Sequence, residues 1–314
     1  MELALLLSFV QTLIEAHRIF LRNGRLMICI AASAVSLSSL LFLAIVFSLR
    51  PAISHLITKA SMLLITSPTS ADYPYLLLSI RENVGLFFAL EWVFVLLCSL
   101  CSILFSAMTI YASATEHGGK NLSTKDLAIA VARSWARPLI TFFYITLFSN
   151  GYLFIVLNLM IPLVLLRANI ATVILCILAG LLYTHLAVVW TLGFVVSVLE
   201  EDKSGHEALA KAGRLVRGRK AHGFALSLVI MALSILMSQV VRLVSIRQSN
   251  GAYIVIGLVM LNSLWLVRMF GLMAYTVFYY ECKNFHGEES NKLMVSLEYS
   301  MIPANAPLIT EDLP

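Results

Sequence analysis

Glu91, His185 and Arg268 fall inside long apolar runs of this 314-residue chain. Charge or imidazole in hydrocarbon is costly, so such residues are the first place to look for an ion or substrate path. Counted inward from the outer ends of their runs, His185 and Arg268 lie about 17 residues deep and Asn150 about 16, at 1.5 Å of rise per residue. Asn150, His185 and Arg268 therefore compose a polar layer near the bilayer midplane, of the kind a small-molecule transporter or channel uses. A structural reading competes with it. Arg268 has a stem long enough to snorkel to the interface, and His185 can satisfy itself on a neighbouring carbonyl or tyrosine. Glu91 lies near the outer end of its run, beside Trp92. Its depth differs from that of Arg268 by about 10 Å or more, so the two are not expected to pair.

A second chemistry is cationic. Arg214, Arg217, Arg219 and Lys220 cluster just before a new apolar run. Four cations beside an anionic leaflet are a surface for lipid headgroups, at about 1 kcal/mol each; a plain topology anchor is the competing reading. Ahead of them, Ser204-Gly205-His206-Glu207 has the S-x-x-E spacing of a capping box. Ala208, Leu209, Ala212, Leu215 and Val216 follow as an apolar stripe, and Gly218 is placed to end the helix.

Other residues offer little chemistry. Cys98-x-x-Cys101 has no companion pair to make a zinc site. With Ser99, Ser102 and Ser106 it reads as small-residue helix packing, as do Ala32, Ser36 and Ser39. His117 and His286 are isolated loop histidines and weak metal candidates. No G-x-x-x-x-G-K-[ST], G-x-G-x-x-G, H-E-x-x-H or G-x-S-x-G motif occurs. The expectation is a protein that is not an enzyme and that uses no cofactor or metal.

The elements that must position these residues follow from composition. The chain is 60% hydrophobic and 12% charged, with a mean hydropathy of +0.90. No water-soluble fold covers its surface with so few polar groups. Runs at 26–49, 86–113, 139–166, 168–199, 221–241 and 252–280 are each about as long as the roughly 20 residues a helix needs to cross a bilayer, or longer. They lack the alternation of barrel strands. The expected fold is all-α: a polytopic membrane protein of six transmembrane helices.

A basic, amphipathic segment precedes spans 1, 3 and 5, at 15–26, 130–139 and 211–220. This suggests three units of surface helix plus hairpin; selection for positive charge on one side would also place arginines there. Residues 1–25 are read as an uncleaved amphipathic helix on the membrane surface, 26–280 as the transmembrane domain and 281–314 as a polar tail. The tail is expected to be mostly disordered and is a candidate docking segment for a protein partner. Residues 50–83, with Pro51, Pro68 and Pro74, read as a loop without its own core.

Positive charge sets orientation. The N-terminal segment holds three Lys/Arg, the loop 114–138 four, the loop 200–220 six and the tail two, whereas the opposite side holds six. Both termini are expected in the cytosol. Asn121-Leu122-Ser123, the one N-x-S/T sequon, then faces the cytosol too. Membranes, not nucleic acid, are the expected counter-surface for a pI near 9.0.

The stretch 188–224 combines a span, an acidic exit, the block Gly205-x-Glu207-Ala208-Leu209, a basic helix and a new span. With the start at 1–25, VFYYECKNFHGEE at 277–289 and NAPLIT at 305–310, it resembles plant multispan membrane proteins of unknown function. More distantly, the G-x-E-A-L block is similar to the membrane domain attached to some bacterial glycerophosphodiester phosphodiesterases. The plant resemblance implies six spans and an endomembrane or plasma-membrane home. It implies no activity, and no phosphodiesterase active site is present to carry over. The favoured function is a lipid-interacting scaffold or adaptor, with a transporter or channel as the alternative.

Overall fold

The computed structural model describes residues 2–67, 69–70, 72–119, 123–246 and 253–287. Among them are nine helices and no strand. Six are long and apolar enough to span a bilayer: α2 (Gly24–Ile65), α3 (Asp72–His117), α5 (Ala136–Leu165), α6 (Asn169–Leu199), α8 (Lys220–Ile246) and α9 (Tyr253–Phe285). Three shorter ones each precede an odd-numbered span: α1 (Glu2–Arg22), α4 (Thr124–Ser134) and α7 (Gly205–Leu215). The protein is an all-α, multi-pass integral membrane protein.

Each short helix buries one stripe in the same register. Thr12, Ala16 and Ile19 on α1, Leu127, Val131 and Ser134 on α4, and Ala208, Ala212 and Leu215 on α7 recur at i, i+4 and i+7. That spacing lines up one face of an α-helix. All nine are buried, which supports the threefold organisation of short helix plus hairpin.

The chain divides into two compact units. The first takes Met1–Ile30, Ile103–Leu236 and the described residues from Leu266 onward. Its core includes Met27, Ile110, Leu192, Leu199, Leu226, Met273, Phe278 and Tyr279, all essentially without solvent contact. Here α7 packs on α5 and α6. Gly193 permits the close approach, since a Cβ there would stand 2.6 Å from Leu209 Cδ2 and 3.2 Å from its Cα.

The second unit takes Ala31–Ser102 and Met237–Trp265. Its polar lock is Asn262, whose Nδ2 lies 3.1 Å and Oδ1 3.2 Å from Ser39 Oγ, while Ser38 Oγ donates to Oδ1 at 3.4 Å. Gly257 seats against the ring of Phe42.

Residues 50–83 are a correction to the sequence reading. They are helical except at the short connection between Ile65 and Asp72. Pro51 removes one backbone donor without ending α2. The hydroxyls of Ser54, Thr58, Ser61 and Thr66 return to carbonyls three or four residues back, at 2.8–2.9 Å, so their polarity does not require a loop. Pro74 sits in the first turn of α3, where no intrahelical donor is needed. Lys59 Nζ donates to Ser79 Oγ at 2.6 Å and ties the two helices. At 42 and 46 residues they are roughly 63 and 69 Å long, well beyond a bilayer core of about 30 Å.

The tail boundary also moves. The helix continues through 281 to Phe285, and residues 288–314 lie outside the described residues, as do Asn121 of the sequon and Arg247.

Candidate functional site

Glutamates mark the exits of the three even-numbered spans: Glu116 on α3, Glu200 after α6 and Glu281 on α9. In each unit of the repeat, an arginine at or just before the start of the first span reaches the exit glutamate of the second. Arg22 Nε lies 2.9 Å from Glu116 Oε1. Arg137 Nη1 donates to the backbone carbonyl of Glu200 at 2.8 Å. Arg219 Nη1 lies 2.6 Å from Glu281 Oε2. The charge-assisted bonds close the base of each hairpin.

A second set of contacts links consecutive units. Lys211 Nζ on α7 pairs with Glu200 Oε1 at 2.9 Å, and the Tyr279 hydroxyl donates to the same oxygen at 2.7 Å. Ser134 on α4 shares a hydrogen bond of 3.1 Å with the Tyr111 hydroxyl on α3. Thr12 on α1 donates to Glu281 Oε1 at 2.6 Å, joining the first helix to the last. Thr12 has one hydroxyl proton, so its contact of 3.0 Å with His222 Nε2 makes that nitrogen the donor. Phe278 lies beside the His222 ring at 5.1 Å between centroids, and His117 stacks on Tyr280 at 4.6 Å. The result is a polar layer at the ends of the spans, largely satisfied from within the protein.

The capping box predicted at Ser204 does not form. Ser204 is the N-cap by position, with extended backbone, but its side chain makes no cap bond. Thr141 Oγ1 on α5 accepts from the Gly205 N–H at 2.9 Å instead, and Glu207 faces Lys203 at 3.5 Å. Gly205 takes φ +56°, and a Cβ there would stand 2.9 Å from the Tyr144 ring, so this entry suits glycine. The predicted stripe of Ala208, Leu209, Ala212, Leu215 and Val216 is buried throughout. Gly218 turns the chain at φ +98°.

Of the four cations read as a lipid surface, Arg219 is committed to Glu281 and lies 5.7 Å over the Phe285 ring. Arg214, Arg217 and Lys220 are exposed. Within the first unit, Asn150 lies exposed on α5, His185 half-buried on α6 and Arg268 exposed on α9. Glu91, on α3 in the second unit, is exposed.

Cys98 and Cys101 are free thiols, half-buried on α3. Among the described residues no group of three or more His, Cys, Asp or Glu is arranged to hold a metal. The second unit has an open cavity of about 360 Å³ lined by Met62, Ile65, Thr66, Asp72, Tyr75 and Leu76. Its one carboxylate, Asp72, stands in the first turn of α3, where the helix dipole favours an acid.

Sequence reasoning noted the acidic exit at Glu200 but missed Glu116 and Glu281 as partners of Arg22 and Arg219. The available signal was positional: each of the three acids ends an even-numbered span.

No curated protein and no solved structure matches the chain. The model of a domain of unknown function, DUF8558, matches residues 2–308, and the chain belongs to that family.

Proposed function

We propose that the protein is a non-enzymatic membrane scaffold that gathers anionic lipid headgroups at the side bearing its short helices. One observation carries this reading. Glu200 takes Lys211 and Glu281 takes Arg219, while Arg214, Arg217 and Lys220 remain exposed at the α7–α8 junction. A cation already neutralised inside the fold adds nothing to a lipid surface; an exposed one at a span entrance does. The positive-inside bias supports a cytosolic place for this face and both termini, and the resemblance to plant multispan proteins supports an endomembrane or plasma-membrane home.

The test is binding of purified full-length protein in nanodiscs of neutral lipid against nanodiscs containing phosphatidylserine or a phosphoinositide. Substituting Arg214, Arg217 and Lys220 with Gln is expected to lower preference for anionic lipid by about fivefold per cation, at about 1 kcal/mol each. Arg18→Gln, in an exposed pair with Glu15, serves as the comparison. An unchanged lipid preference in the triple variant overturns the proposal.

A further inference from the structure

The three short helices differ on the face turned away from their buried stripes. On α7 that face carries His206, Glu207, Ala210 and Arg214, and on α4 it carries Lys125, Ile129 and Arg133, all exposed. On α1 the equivalent face carries Val10, Ile14, His17 and Leu21 at i, i+4, i+7 and i+11. Val10 is 47% exposed, Ile14 54% and Leu21 65%. The buried stripe of Phe9, Thr12, Ala16 and Ile19 lies on another side of the helix, and Gln11, Glu15, Arg18 and Arg22 form a polar strip between the two. Helix α1 thus has three faces: one packed on the protein, one charged, and one largely aliphatic, interrupted by His17, that is left exposed among the described residues.

We infer that α1 is a wedge in a single leaflet, and that it couples the distribution of this protein to membrane curvature. The occupant of the aliphatic face is the boundary between headgroups and acyl chains. Only Asn23 separates α1 from α2, so the stripe runs back over about four turns from the point where the chain enters the membrane. Exposed Arg25 lies close by in sequence, able to keep its head among headgroups. A helix of this kind buries its apolar face about 5–10 Å into the interface. Volume added to one leaflet at that depth spreads its headgroups, and the strain falls where that leaflet is convex. This inference rests on aliphatic residues and is independent of the cationic lipid surface.

The experiment uses full-length protein in giant vesicles of neutral phosphatidylcholine, from which narrow tubes are pulled outward. Only molecules whose N-terminal tag takes an impermeant dye added outside are counted. The native protein is expected to concentrate on the tube relative to a lipid dye. V10N/I14N/L21N, which leaves the buried stripe intact, is expected to lose that enrichment while keeping its melting temperature in detergent. Should the triple variant fold poorly, a fluorophore on Ile14→Cys is expected to be quenched by brominated lipid, and one on Gln11→Cys spared. Absence of enrichment in the native protein, enrichment retained by a folded triple variant, or a position-14 probe untouched by brominated lipid overturns the inference. Crosslinking of Ile14→Cys between two copies also overturns it, by assigning the face to a dimer.

Discussion

Glu281 ties together three elements of the polar layer. One carboxylate accepts from Thr12 and Arg219 at 2.6 Å each and stands 3.9 Å from His222. It thereby joins the first helix, the entrance of span 5 and the end of span 6. Replacing it with Gln leaves Arg219, itself 29% exposed, without its counter-charge. The expected cost is about 1–3 kcal/mol, the range for stranding a partly buried polar partner. It is measured as a fall in melting temperature of the purified protein. Glu15→Gln breaks a pair whose side chains are 68% and 37% exposed, and is expected to change stability by less than about 0.5 kcal/mol. The basic cluster 214–220 was legible in the sequence as a set of charges, but which of them spends its charge inside the protein was not. Arg219 and Arg217 are two residues apart and have opposite fates, because only one points at the end of a helix sixty-two residues further on.

At the scale of elements, packing of the short helices is controlled by a few small residues. Gly193→Val is expected to push Leu209 and α7 away from α6, because the nearest contacts include the Leu209 backbone. Overpacking of this sort costs about 1–3 kcal/mol. Limited proteolysis around 200–204 is expected to accelerate in the variant. Gly180→Ala on the same helix meets nothing within 4 Å and is expected to leave cleavage unchanged. Of the short helices, α1 and α7 were visible beforehand, whereas the segment read at 130–139 straddles the end of α4 and the start of α5. The extent of α2 and α3 was not visible. Proline, serine and threonine between 50 and 83 read as loop signals, yet one missing donor at Pro51 and hydroxyls bonded to their own helix are compatible with continuous α-structure.

For the whole molecule, six spans place the α2–α3 connection and the α6–α7 connection on opposite sides of the membrane. Cysteines introduced at Thr69 and Ser204 are expected to react with an impermeant maleimide from opposite faces of sealed vesicles. Labelling of both from one face contradicts the six-span topology. The sequence by itself determined the solvent, the helical class and the number of spans. In hydrocarbon each backbone must satisfy its hydrogen bonds within its own segment, so a local run of apolar residues carries the whole instruction. Tertiary structure alone decided which carboxylate holds which arginine, which face of α1 stays exposed, and why Thr141 rather than Ser204 satisfies the start of α7. Those outcomes depend on groups far apart in the chain being brought within about 3 Å with the right orientation, and no local pattern encodes such a meeting.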